Sequence, residues 1–166
     1  QGTIDRRMRY SLGFDFGTDI GLADAFVEGR EEGLRLFGYR IGQFRVGHFQ
    51  EPFSFERLMS SHYTGFLERA SPVWTFTPGF NLGYMLHDRA HNDRMQWAVG
   101  FFTFGQHNEE NASASVLSIT ARASGLPLYR DEGRRLLHLG ASFSARDPSG
   151  DSVQYRSRPE ARFVDF

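Results

Sequence analysis

The 166-residue chain contains no cysteine and no lysine. Without cysteine there is no disulfide scaffold and no thiolate-ligated metal, which suits an oxidising compartment without requiring one. Without lysine the basic charge is all arginine, a bias that either reflects genome base composition or serves bidentate contacts to anions. Neither sign of charge is in excess, with 19 basic against 20 acidic residues, so net charge suggests neither a nucleic-acid partner nor an acidic tail. No run of about 18 apolar residues occurs, which excludes a transmembrane helix. It does not exclude a membrane, because a barrel strand needs only about 9–11 residues of alternating polarity. The start, Gln1-Gly2-Thr3, lacks a basic-then-apolar signal sequence. If the protein is exported, the expectation is therefore a mature or truncated chain.

Proline is scarce, at 6 residues, whereas glycine (18) and phenylalanine (17) are abundant. Frequent glycine with aromatics in short segments points to an all-β fold, and the length allows one domain spanning 1–166. Residues 9–16 place Tyr10, Leu12, Phe14 and Phe16 on one face, with Arg9, Ser11, Gly13 and Asp15 on the other. Comparable segments run over 20–28, 39–50, 80–87, 94–104, 115–123, 135–146 and 152–158. The intervening 29–38 and 124–134 read as connections, with polar turns at 88–93 and 147–151. The result is about eight antiparallel strands. One face is apolar, with aromatics towards the ends; the other is Ser, Gly, Thr, Gln, His and Arg.

The stretch from Phe44 to Arg69 departs from this rhythm. Phe44, Val46 and His48 alternate with Arg45, Gly47 and Phe49 as a strand, and Pro52 ends it by removing a ladder donor. Ser54 is an N-cap candidate for a helical turn carrying Arg57 and Leu58. The segment is too long and too rich in Phe, Tyr, Met and Leu for an ordinary surface loop, so 51–78 is expected to fold over or into something.

Two architectures fit the alternation. In a soluble β-sandwich, such as a carbohydrate-binding module, the apolar faces pack together. In an outer-membrane barrel they meet lipid and the polar faces line a lumen. Strands of nine or more residues favour the barrel over the usual five or six. So do apolar faces that mix large residues with Ala121, Ala123, Ala141 and Ala145, which lipid tolerates and a close-packed core does not.

The strings FRVGHFQEPFSFERLMSSHYTGFLERA, PGFNLGYML, RMQWAVGFF, ARASGLPLYRDEGRRLLHLGASFSARDP and YRSRPEA resemble the phosphate-selective porin O and P family, over Arg9 to Phe166. RVGHFQEPFS, FLERA and DEGRRLLHLGASFS are the most specific. The resemblance implies an antiparallel up-and-down transmembrane β-barrel of sixteen strands in the outer membrane of a Gram-negative-type bacterium. It further implies a homotrimer passing small anions, phosphate among them, through an Arg-lined lumen narrowed by the loop after the RVG strand. Against that layout the chain begins near the third strand and stops near the tenth, so an open, curved sheet of about eight strands is expected.

The expected chemistry is electrostatic. Arg45, Arg122, Arg146, Arg156 and Arg158 fall on polar faces of the expected strands, where they either form a cationic anion path or pair with Asp and Glu across strands. In the loop, Arg57 and Arg69 either face a constriction with Glu56 and Glu68 or hold the loop shut by pairing with Glu51, Glu56 or Glu68. Phe80, Tyr84, Trp97, Phe101 and Phe104 are girdle aromatics in a barrel and core in a sandwich. Gly13, Gly83, Gly100 and Gly140 on the polar face ease curvature, make room for the loop, or merely dilute the strands. The six histidines (His48, His62, His87, His91, His107 and His138) are scattered, with no HExxH or EF-hand pattern. No metal, cofactor or enzymatic nucleophile–base pair is expected.

Overall fold

The computed structural model describes residues 2–4, 7–15, 21–29, 34–37, 39–60, 63, 65–66, 69–104 and 116–147. The strands are β1 (Gly2–Ile4), β2 (Met8–Asp15), β3 (Gly21–Gly29), β4 (Leu34–Leu36), β5 (Tyr39–Gln50), β6 (Phe80–Ala90), β7 (Met95–Phe104), β8 (Val116–Arg130) and β9 (Arg135–Arg146). They form one antiparallel sheet in the order β1-β2-β3-β5-β6-β7-β8-β9, with β4 pairing on β5. Neighbours in sequence are neighbours in space, and β1 does not meet β9, so the sheet is open. At about 3.3 Å per residue a 12-residue strand reaches about 40 Å, enough to cross a hydrocarbon core of about 30 Å at a tilt.

Register carries the alternation across the whole sheet. Val46, Tyr84, Phe101 and Ile119 lie in one cross-strand row, and Arg45, Met85, Gly100 and Thr120 in the next. The two faces then reverse the arrangement of a water-soluble protein. Leu82 and Phe143 on the apolar face are 58% and 63% exposed, whereas Phe102 and Thr120 on the other are fully buried. Phe80, Tyr84 and Phe101 are exposed too. No second sheet covers that face among the described residues, which removes the β-sandwich. No helix among the described residues is long and apolar enough to cross a membrane.

The small core sits on the polar face. Phe49, Met85 and Phe102 form it, with Phe26 and Ala98 packed alongside. The ring of Phe49 meets those of Phe102 and Phe26 edge-on, at centroid distances of 5.4 and 6.0 Å. Two glycines make space for it. A Cβ on Gly83 would lie 2.5 Å from Phe102 Cδ1, and one on Gly100 would lie 2.7 Å from Phe102 Cε2.

Several boundaries differ from the sequence-based expectation. The 124–134 stretch is not a loop: β8 runs on to Arg130, and only residues 131–134 turn. Pro127 is accommodated because the β8–β9 register shifts between Gly125 and Leu128, a bulge that needs no donor there. The 29–38 connection contains β4, and β1 precedes the first expected strand. The polar turn before β7 is His91–Arg94; His91, Asn92 and Asp93 take positive φ, which Asn and Asp tolerate best. Ser54 caps α1 (Phe55–Leu58), its Oγ accepting from Arg57 N at 3.4 Å. A second helix, α2 (Ser71–Phe76), starts with Pro72 in its first turn, where a missing N–H costs nothing. The expected strand at 152–158 lies outside the described residues.

Candidate functional site

The polar face carries two linked clusters. The first surrounds Glu28 of β3, which register sets between Arg9 of β2 and Arg45 of β5. Glu28 is only 4% exposed. Arg9 Nη2 donates to its Oε2, Arg45 Nη2 donates to Oε1 at 2.8 Å, and His87 Nε2 stands 2.7 Å from the same Oε1. The Arg45 guanidinium also lies 4.3 Å from the Phe26 ring centroid and 5.4 Å from that of Phe49, a cation–π arrangement that fixes its plane. Nearer the His91–Arg94 turn, Arg40 Nη2 donates to Asp88 Oδ1 at 2.7 Å. These groups border a basin of about 790 Å³ that reaches Arg122 across the sheet and Pro52 and Leu58 on the loop side. Its lining opposes five arginines (Arg9, Arg40, Arg45, Arg89 and Arg122) to three carboxylates (Glu28, Asp88 and Asp93). Positive charge is therefore in local excess within a chain that is nearly neutral as a whole.

The second cluster holds the root of the long loop. Glu51 follows the last residue of β5 and is fully buried. Its Oε1 accepts from Asn81 Nδ2 of β6 at 2.6 Å and from Arg146 Nη2 of β9 at 3.0 Å, and its Oε2 accepts from Thr120 Oγ1 of β8. Two residues on, the carbonyl of Phe53 accepts from Arg122 Nη1 at 3.1 Å and from Ser142 Oγ. The Phe55 ring then meets the imidazole of His138 at 5.1 Å. From Glu51 to Phe55 the chain thus lies against the polar side chains of β8 and β9.

Beyond α1 the loop is tied to itself. Arg69 donates to the carbonyls of Glu56 (3.0 Å) and Met59 (2.8 Å), while the Glu56 carboxylate accepts from Ala70 N at 2.8 Å. The guanidinium groups of Arg57 and Arg69 lie 4.2 and 5.8 Å from the centroid of Trp74, at the other end of the loop.

Arg45, Arg122 and Arg146 stand on the polar face, each with a partner: Glu28, the Phe53 carbonyl and Glu51 respectively. Arg57, Arg69 and Glu56 come together inside the loop, where Arg69 is held by backbone carbonyls and Glu56 caps a backbone amide. Arg156, Arg158 and Glu68 lie outside the described residues. Sequence reasoning missed Glu28, Arg9, Arg40 and His87 as a cluster. It named Glu51 only as a partner for loop arginines, whereas among the described residues its carboxylate meets Arg146, 95 positions away, along with Asn81 and Thr120. Alternation could have placed Arg9, Glu28 and Arg45 on one face; nothing local pairs them.

An open antiparallel sheet of up-and-down strands that exposes its apolar side, with the segment after β5 rooted on its polar side, has the build of a partial β-barrel. The family model for phosphate-selective porin O and P matches residues 1–164, and the chain belongs to that family. Membership implies an outer-membrane location in Gram-negative bacteria and a porin channel. No curated protein and no solved structure matches the chain.

Proposed function

We propose that the polar face lines a water-filled path for passive diffusion of small anions, phosphate among them. In this reading the 51–78 segment folds inwards and narrows the path. Arg9, Arg40 and Arg45, with Arg122 beyond them, replace part of the anion's hydration as it passes. One observation carries the reading: the basin at Glu28 holds more arginines than carboxylates and abuts the loop at Pro52 and Leu58. Cationic side chains at such a position lower the barrier for anions and raise it for cations. The full-length protein assembles as a homotrimer surrounded by outer-membrane lipid.

The test is the reversal potential of the full-length channel in a planar bilayer under a salt gradient, first with chloride and then with phosphate. A potential of the sign set by anions supports the proposal, and a larger anion preference in phosphate names the substrate. A cation-selective potential in both salts refutes it.

A further inference from the structure

We infer that Glu51 is a positioning residue that locks the root of the 51–78 segment to the sheet, making the first part of that segment a fixed wall and not a hinge. The inference rests on the proposed constriction for its functional consequence, but its physical content stands apart from it.

Glu51 is saturated with contacts. Its N–H donates to the carbonyl of Gly79 at 3.2 Å, which closes the base of the segment by joining its two ends. Its own carbonyl accepts from Phe53 N at 2.9 Å. Its carboxylate gathers Asn81, Thr120 and Arg146 from three different strands. Pro52, which follows, fixes φ and has no N–H to satisfy. A fully buried carboxylate is tolerated only where charge and hydrogen bonds compensate it, and here both do. The next contacts, from Arg122 and Ser142 to the Phe53 carbonyl, continue the attachment across β8 and β9. Arg122 and Arg146 therefore hold the loop root, and Arg122, which also lines the basin, joins Arg9, Arg40 and Arg45 as a cationic contact for a passing ion.

Amide hydrogen exchange of the full-length protein, folded in lipid, tests the lock. In Glu51→Gln the amides of Phe53, Leu58 and Met59 should exchange about tenfold to a hundredfold faster, as expected for loss of charge-assisted hydrogen bonds, while β2 and β3 keep their rates. Thr120→Val removes one hydroxyl at nearly constant volume and should give about a tenfold increase confined to the same amides. This second variant keeps the test open if Glu51→Gln fails to fold. The double variant Glu51→Gln/Arg146→Met should accelerate exchange by less than the product of the two single effects, because the two residues share an interaction. Unchanged exchange at these amides, or acceleration spread evenly over the sheet, overturns the lock. Leu58→Cys labelled with a bulky thiol reagent tests the constriction separately. If labelling leaves conductance unchanged, the narrowing role fails while the exchange result still decides the lock.

Discussion

Glu28→Gln isolates the electrostatics of the basin. The substitution keeps the side chain's size and removes one negative charge from beneath Arg9, Arg45 and His87. At a distance of about 8 Å, and with an effective dielectric constant between about 40 and 80, one unit charge is worth about 0.5–1 kcal/mol to a monovalent ion. That converts to about a two- to sixfold change for each ion in opposite directions, and so to about a six- to thirtyfold gain in anion over cation permeability, smaller at high salt because the Debye length shortens. An opposing effect has to be weighed. Breaking a buried ion pair leaves its partners uncompensated, at about 3–5 kcal/mol when both are fully enclosed. Here the carboxylate is enclosed, but the side chains of Arg9 and Arg45 keep 45% and 21% exposure, so water takes over part of the lost solvation. The charge effect should dominate permeation, and the loss of pairing should appear as lowered stability. Reversal potentials in a KCl gradient measure the first. Arg45→Gln is the control, with a shift of the opposite sign. If Glu28→Gln leaves the potential unchanged or moves it towards cations, the basin does not govern selectivity.

Other consequences follow from packing. Gly100→Ala would drive a methyl into the Phe102 ring; overpacking there should cost about 1–3 kcal/mol, read as a lower urea midpoint in detergent. Leu82→Arg on the apolar face should cost about 2–4 kcal/mol if that site lies near the bilayer centre and fall towards zero near an interface. Folding yield into lipid vesicles reads that cost, and an unchanged yield would place Leu82 at an interface or in water, away from the bilayer centre.

How much of this was legible in the sequence depends on the range of the interaction. Faces were legible, because period-2 alternation is local: it separated Leu82 and Tyr84 from Gly83 and Met85, as the β5–β6 and β6–β7 registers do. The Ser54 cap was legible for the same reason. The continuation of β8 past Pro127 was not, because a proline reads as a break unless the register shift that accommodates it is known. Nor was α2, a single short turn rich in β-branched and aromatic residues. The alternation put Phe49, Met85 and Phe102 on the polar face, yet only the three-dimensional sheet shows them meeting over glycines. The pairings of Glu28 with Arg45 and of Glu51 with Thr120 and Arg146 span 17, 69 and 95 residues. Such partners are chosen by strand order and register, which no local pattern encodes.

The account depends on which side of the sheet meets lipid. The chain has no cysteine, so single substitutions Leu82→Cys, Phe143→Cys and Gln43→Cys, each placed in the full-length protein with any cysteine outside this chain replaced by serine, give one labelling site for an environment-sensitive fluorophore. Labels at 82 and 143 should emit to the blue and be quenched by nitroxide lipids, while the label at 43 should emit to the red and be quenched by iodide. Iodide quenching at 82 and 143, with none at 43, would put the faces the other way round and contradict the account.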